Sequence, residues 1–385
     1  MQCGPDLVSE APVTTCSNQA CVNGACAGVC IPGATACSAN AVQTCAADGS
    51  WQTTAACAES CSDGGCTTFP SCQGGGAGAG TDCGPRSSGD GKATNDCCLS
   101  YEVGGGGNFY RSYDGVSPGD TNKNSPVTVS GFRFDAYEIT VGRLRKFVSA
   151  AVGGWRPAPG SGKHSHLNGG SGLAGVGTDA ASSEPGWIAA WSSSLATTLG
   201  AWNSNLACDA VAATWTSGAA ANERRPANCI TWYEAYAFCI WDGGFLPSEA
   251  EWNFAASGGT DQRVYPWSVP PAAAPVDCSH ANFTPLGMPA CSSTGPNDVG
   301  SESMTGDGKF GQSDLSGNVG EWNLDSFAAY VYPCNDCANV SPGGTRVARG
   351  GSFALSAAAL LTSYRGNFTP TTRDASVGAR CARVP

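Results

Sequence analysis

The sequence predicts an α+β fold with little regular secondary structure, preceded by a small disulfide-rich module. Three observations carry that expectation. Glycine at 53 and proline at 23 among 385 residues, with only 13% charged residues, supply turns and interrupt regular elements, so long helices are not expected. Cysteine is distributed unevenly: of 22, 14 precede residue 99 and eight are spread from Cys208 to Cys381. The chain also exceeds what one core usually fills, so one large and one small unit is the natural division.

A formal net charge of −11 opposes any role that depends on neutralising phosphates or anionic lipid. Nucleic acid is therefore not an expected partner. There is no run of 18 or more apolar residues, so no membrane span is expected. Met1-Gln2-Cys3 opens without the charged and apolar regions of a signal peptide, so either a leader has been removed or the sequence starts downstream of one. The even, dense cysteine set points to an oxidising compartment and to a secreted or surface-displayed protein. A cytosolic zinc protein fits poorly, because three histidines and no paired CxxC knuckles do not match zinc-ligand spacing.

Residues 1–72 form the expected disulfide-stapled module. CSNQACVNGACAGVC (Cys16, Cys21, Cys26, Cys30) is echoed by CAESCSDGGC (Cys57, Cys61, Cys66), an imperfect repeat too small to bury a core without crosslinks. Between them AVQTCAADGSWQT reads as two strands joined at Asp48-Gly49, a dipeptide that tolerates the positive φ of a tight turn. Residues 73–99 read as a Gly-rich tether, GGGAGAG from Gly74 to Gly80, followed by an entry pinned by Cys83, Cys97 and Cys98.

From residue 100 to 385 short apolar segments alternate with turns. PVTVSGFRFDAYEIT has strand alternation, and Thr140 then caps a helix, VGRLRKFVSAAV, whose Leu144, Phe147 and Val148 share a face. Residues 153–227 are Gly-, Ser- and Ala-rich with several tryptophans, which predicts long ordered loops held by aromatic anchors. In NCITWYEAYAFCIWDGGFLPSEAEWNFAASGG, Trp232, Ala235, Tyr236 and Cys239 fall at helical spacing, and Gly243-Gly244 ends the helix. Ser248 with Glu251 forms a capping box that opens a second helix.

That last segment, with YPW at 265–267, DLSGNVGEW at 314–322, RVARGGSF at 346–353 and GARCAR at 378–383, resembles the formylglycine-generating enzyme, or sulfatase-modifying-factor, family. The motifs stand in the family's order and cover roughly residues 105–385. The resemblance implies an α+β fold related to C-type lectins, often stabilised by calcium. It also implies a disulfide between Cys239 and Cys381. Order and proximity suggest Cys208 with Cys229, Cys278 with Cys291 and Cys334 with Cys337, although sequence does not fix connectivity. The CxxC spacing of Cys334 and Cys337 lacks a βαβ context and is read as a local structural disulfide.

The resemblance further implies a calcium ion held by side chains at Asp314 and Glu321 and by the carbonyls of Gly317 and Val319. Hard calcium takes several oxygens, and a tight Ser-Gly-Asn turn can aim alternate carbonyls at one point. The plainer reading makes Asp314 a turn cap and Glu321 a solvated acid. A second calcium in some relatives uses positions matching Asn282 and the Phe283 carbonyl, with a later acid that has no clear counterpart here. Asn282-Phe283-Thr284 also reads as a glycosylation sequon.

Formylglycine generation uses copper held by two cysteines shortly after the RGGS turn, since soft thiolates favour Cu(I). Here that window is ALSAAALLTS, residues 354–363, which contains no cysteine. The family's tryptophan between Val319 and Glu321 is Gly320, its arginine before Leu246 is Phe245, and its phenylalanine before Arg380 is Ala379. Ser352 is read as supporting the turn. Another branch forms carbon–sulfur bonds with iron held by histidines of an additional helical domain, which has no counterpart here. His164 and His166, two apart, could hold a metal weakly with His280, and are otherwise exposed loop residues.

The leading expectation is thus a non-catalytic, calcium-stabilised module that binds a glycan, peptide or protein ligand, with no catalytic residue carried over. Trp155, Trp187, Trp191, Trp202 and Trp215 are candidate ligand-facing residues, or simply loop anchors. The alternatives are an oxidoreductase or protein-modifying enzyme using copper or iron at His164, His166 and His280, and a structural cell-surface component.

Overall fold

The computed structural model describes residues 2–3, 14–15, 20–22, 25–38, 41–56, 60–62, 65–84, 96–107, 109–116, 123–176, 182–269 and 275–385. The chain divides into two units, Met1–Phe69 and Pro70–Pro385. In the first, the cysteine repeat is a repeat of hairpins. Cys21 faces Cys26 across one and Cys61 faces Cys66 across the other. The strands Ala41–Cys45 and Trp51–Ala56 pair around Asp48-Gly49, with Gly49 at φ 77°. The Cys30–Cys45 disulfide staples this hairpin to the preceding turn. Cys3, Cys21, Cys26, Cys37, Cys61 and Cys66 lie in strands whose side chains are outside the described set, as are Cys16 and Cys57 altogether.

The Gly-rich run is not a tether. Residues 73–84 belong to the second unit, where Ala79 and Cys83 are buried and disulfides Cys72–Cys98 and Cys83–Cys97 close two loops. Lys146 Nζ donates to the carbonyls of Gln73 and Gly75, and Thr140 Oγ1 donates to that of Gly78. A Cβ at Gly78 would stand 1.8 Å from the Glu223 carbonyl, so here glycine serves close backbone approach rather than looseness.

The second unit carries four α-helices among its described residues: α1 (Val141–Val152), α2 (Leu199–Asn205), α3 (Trp232–Trp241) and α4 (Glu249–Ala256). Thr140 caps α1 by accepting from the Arg143 amide, and Leu144, Phe147 and Val148 are buried on its inner face. Both α3 and α4 open with reciprocal capping boxes, Thr231 with Glu234 and Ser248 with Glu251. A Thr or Ser cap is worth about 1 kcal/mol, which matters for helices this short. Gly243 at φ 78° follows α3 and turns the chain away. Among the described residues, helix α2 and two 3₁₀ turns, Asn168–Gly170 and Ala189–Ser194, occupy the stretch expected to be loop.

Two small sheets frame these helices. One is antiparallel, β1 (Ser100–Val103), β2 (Phe132–Asp135) and a carboxyl-terminal strand at Ala382–Arg383, with β2 central. The other has β3 (Gly320–Ser326) and β4 (Arg346–Arg349) at its centre, β5 (Gly366–Phe368) outside β4, and β6 (Val377–Gly378) parallel to β3. The terminal strand Ala382–Arg383 is β7. Every residue of β3 is buried. Trp322 and Leu324 join the core built by α1 and α3, while Glu321 and Asp325 meet α4 through the Trp252 indole and the Glu249 amide.

That core settles the tryptophans. Trp187, Trp202 and Trp215 are buried in it and Trp155 and Trp191 pack against it, so the set anchors loops and does not present a ligand face. Trp187 stacks edge-on to Trp191, which meets Trp232 the same way. The Cys239–Cys381 disulfide pins α3 to the chain end across a separation of 142 residues, worth about 5 kcal/mol on the chain-entropy account. The other expected pairs, Cys208–Cys229, Cys278–Cys291 and Cys334–Cys337, also form.

Beside that disulfide lies a buried ring of four charges. Arg143 Nη2 donates to Asp135 Oδ2 at 3.1 Å and Asp242 Oδ2 at 2.6 Å, and Arg383 reaches the same two carboxylates at 2.8 Å each. Ser71 adds its amide to Asp242 Oδ1 at 2.8 Å and accepts from Arg143 Nε at 2.9 Å. Removing one arginine leaves both carboxylates on a single cation, with one buried negative charge uncompensated. Arg383→Met is therefore expected to lower unfolding free energy by about 3–5 kcal/mol in a denaturant titration under oxidising conditions. A loss within error of zero contradicts this account of the ring.

Candidate functional site

Where β4 ends, Gly350 and Gly351 take φ of 95° and 71° and reverse the chain. A Cβ at Gly351 would meet the Ala359 carbonyl at 2.6 Å, so the turn admits glycine alone. Ser352 follows, 1% exposed, its hydroxyl accepting from the Ala354 amide at 3.3 Å, which is the turn-supporting role expected of it. The turn borders a shallow cleft, with about 40 Å³ open to a water-sized body, walled by Gly320, Ser352, Leu355, Tyr364, Phe368 and Val377. The wall built from 354–363 offers alanines, leucines and hydroxyls. Every cysteine whose side chain is described sits in a disulfide. Copper held by a thiolate pair does not fit this cleft.

A group of buried carboxylates surrounds the turn that contains Asp314 to Glu321. Glu321 was expected to ligate calcium and instead has both oxygens occupied by Arg380, with Nη2 at 2.6 Å and Nε at 2.8 and 2.9 Å, and Trp252 Nε1 at 2.7 Å. Asp314, at φ 60°, accepts only the Gly300 amide, at 2.6 Å. Burial, with Glu302 adding to it, pushes its pKa up to about 8. Glu138 is 0% exposed and accepts from Asn318 Nδ2 at 2.7 Å and the Val319 amide at 3.1 Å. Burial pushes it well above the usual carboxylate range, and Asp314 and Glu321 push it further.

Asn282 joins this turn from the other side. Its carbonyl accepts the Asn318 amide at 2.8 Å and its Nδ2 donates to Gly295 O at 3.1 Å. Its Oδ1 is buried with no partner, and the residue is 1% exposed, which also puts the sequon asparagine out of reach of a glycan. The Phe283 carbonyl takes the Cys291 amide at 2.9 Å. The structure thus merges the neighbourhoods of the two expected calcium sites, removes Glu321 from the free donors and adds Glu138. Glu138 was missed because nothing local marks a Glu between Tyr137 and Ile139 as buried; a charge inside an apolar run was the available signal.

The histidines do not form one centre. His280 packs on Trp267 and bonds Asp277 at 2.9 Å. His164, read as an exposed loop residue or metal ligand, is fully buried with Nδ1 at 2.9 Å from Glu184 and Nε2 at 2.9 Å from Glu251. Both ring nitrogens are thereby occupied. Burial alone would push its pKa down, but the two carboxylates more than offset that and hold it at about 10. His166 stacks on Phe245, and burial lowers its pKa. The only described triad of His, Cys, Asp or Glu with ligand atoms within 4.8 Å is Asp82, Cys83 and Cys97, whose sulfurs are in a disulfide. Glu251 therefore closes α4's capping box and neutralises His164 with one carboxylate oxygen.

The fold is that of the structure "PvdO from Pseudomonas aeruginosa", with a TM-score of 0.50 at 19% identity over 74% of this chain and 94% of that one. Residues 102–385 match the "Sulfatase-modifying factor enzyme 1-like domain". The chain belongs to this family, the formylglycine-generating-enzyme family with its C-type-lectin-like fold. Curated relatives include the "Formylglycine-generating enzyme" of Thermomonospora curvata, 33% identical over 40% of this chain and 54% of that protein. They also include the "Inactive C-alpha-formylglycine-generating enzyme 2" of Bos taurus, 31% identical over 40% of this chain and 48% of that protein. The match spans about half the length of these two relatives.

The charged His164 makes stability depend on pH. Its proton is held to about 10 in the folded chain against 6.5 as an unperturbed side chain, so its stabilisation is full below pH 6.5 and lost as pH rises through 10. His164→Gln is expected to cost about 3 kcal/mol at neutral pH and to flatten the decline of stability over that window. An unchanged slope in denaturant titrations of the variant would falsify this assignment.

Proposed function

We propose that this chain is a non-catalytic member of its family, an exported domain that binds a glycan or peptide ligand and is stabilised by calcium. The observation that carries the reading is the cleft beside Gly350-Gly351-Ser352, which keeps the turn and lacks both thiols. A hard ion fits the donors around the 314–319 turn better than a soft one does: Asp314 and Glu138 carboxylates with no full-strength cation of their own, and the orphaned Asn282 Oδ1. These three, with the carbonyls of Gly317 and Val319, would hold it. Bound calcium would supply charge neutralisation and rigidity to the turn that carries β3 into the core.

Several further features support the reading. The density of disulfides fits an oxidising compartment. A relative named inactive shares the fold family. No helix among the described residues is long and apolar enough to cross a membrane. With Gly320 in place of a bulkier residue, Leu355, Tyr364, Phe368 and Val377 leave an apolar cleft open on the face where the family does chemistry.

The test is elemental analysis of oxidatively folded protein, dialysed and then offered calcium, copper and iron in competition. The expected outcome is about one calcium per chain with no retained copper or iron. Because the Asp314 pKa is pushed up to about 8 and that of Glu138 also lies well above the usual carboxylate range, calcium uptake by both carboxylates is expected to release about one to two protons, measured by calorimetry in buffers of different ionisation enthalpy. Asp314→Asn is expected to abolish both uptake and the calcium-dependent rise in melting temperature. Tightly held copper or iron overturns the non-catalytic reading, and calcium uptake unchanged by Asp314→Asn overturns the site.

A further inference from the structure

The turn at the Ser352 cleft carries hydrogen-bond donors that nothing in the chain accepts. Gly351 and Ser352 are both buried and both line the cleft, and among the described residues neither backbone amide has an acceptor. The Ser352 hydroxyl accepts from the Ala354 amide at 3.3 Å, and its own proton likewise has no acceptor among the described residues. The chain on either side is tied down. The Gly350 carbonyl accepts from the Gly317 amide at 2.8 Å, and the Phe353 amide donates to the Asn318 carbonyl at 2.8 Å. Successive amides in a reversal with positive φ, here 95° and 71° at Gly350 and Gly351, form a concavity suited to an anionic oxygen.

The charge and size of the cleft narrow what those donors can meet. In a chain of net charge −11, no Asp or Glu lines it, and Arg349 is the one charged residue of its lining. An ammonium would therefore find a cation and no acceptor on the turn, whereas a carboxylate brings two acceptor oxygens to donors left unmade. The apolar part of the lining sets Leu355, Phe368 and Val377 against Gly320, Ala348 and Gly366, small residues from the adjacent strands β3, β4 and β5. The open 40 Å³ holds about three atoms of water size. That matches the isopropyl group of valine and is too little for an aromatic side chain.

Resting on the reading of this cleft as a ligand site, we infer that it takes the carboxyl terminus of a peptide that ends in a small branched aliphatic residue such as valine. The terminal carboxylate sits on the Gly351 and Ser352 amides and the Ser352 hydroxyl, and the last side chain among Leu355, Phe368 and Val377. A shallow cleft covers only that residue, so the rest of the ligand runs over neighbouring surface. β5 is the outermost strand of its sheet, Asn367 on it is exposed, and among the described residues its backbone bonds only to β4. Its free edge offers backbone partners to the residues preceding the terminus, which a free small acid could not use.

The test uses the full, oxidatively folded chain with acetyl-diglycyl-valine at up to about 5 mM, read by saturation-transfer NMR. The comparators are the same peptide amidated at its carboxyl terminus, acetyl-diglycyl-phenylalanine and isovalerate. The valine methyls are expected to receive the strongest saturation, and each comparator to bind about tenfold or more weakly. Leu355 is 39% exposed, so its substitution does not threaten the fold. Leu355→Asp is expected to weaken binding about tenfold and Leu355→Lys to tighten it, as the sign of the added charge requires. Equal binding of the amidated peptide overturns the inference and leaves a ligand-binding cleft standing; equal binding of isovalerate overturns the peptide as occupant. No binding at that concentration, or equal affinity in the two Leu355 variants, overturns the inference as well. Retained copper or iron, measured separately, is what overturns the non-catalytic reading beneath it.

Discussion

Arg380, Cys381 and Arg383, side by side at the carboxyl terminus, tie together nearly every element of the second unit. Arg380 neutralises Glu321 on β3 and donates to the carbonyls of Asp135, Ala136 and Ser313. Cys381 is bonded to α3, and Arg383 closes the charge ring with Asp135, Asp242 and Arg143. Sheet, helices and the 314–321 turn are thus fixed by a strand whose own pairing, Arg133 with Arg383 and Phe134 with Ala382, is only two residues long. Short regular elements are sufficient because the crosslinks, ionic and covalent, do what long hydrogen-bonded ladders do in other folds.

The same economy of secondary structure places many charges inside. Those with a matched partner stay ionised: Glu249, where burial alone would raise the pKa, is held down to about 2 by Arg349 and Arg365. Those without one are pushed up, Asp314 to about 8 and Glu138 well above the usual carboxylate range. The difference is a map of where the chain is electrostatically complete and where it has room for a cation. By that measure β3's contact with the terminal strand is complete, and the turn leading into β3 is not.

Loss of two thiols and retention of the turn that would present them changes what the cleft can do without changing how it is built. Gly350 and Gly351 are required by positive φ and by the Ala359 carbonyl, neither of which depends on chemistry in the cleft. A scaffold so pinned can change what its Ser352 cleft does without rebuilding, since function resides in the residues placed on the fold.

What the sequence by itself determined was whatever local chemistry dictates. The caps at Thr140 and Ser248, the stop at Gly243, the turn at Asp48-Gly49, the sulfur-free window after Ser352 and the family motifs were all legible, because each needs only a few neighbouring residues. What only the tertiary structure decided were the fates of groups whose partners lie far along the chain. The glycines after residue 73 became close contacts instead of a tether, and five tryptophans turned inward. His164 acquired Glu184 and Glu251, Glu321 went to Arg380 across 59 residues, and Glu138 met Asn318 across 180. A side chain's charge and exposure are properties of its surroundings, and in this chain those surroundings are assembled from residues that no local pattern links.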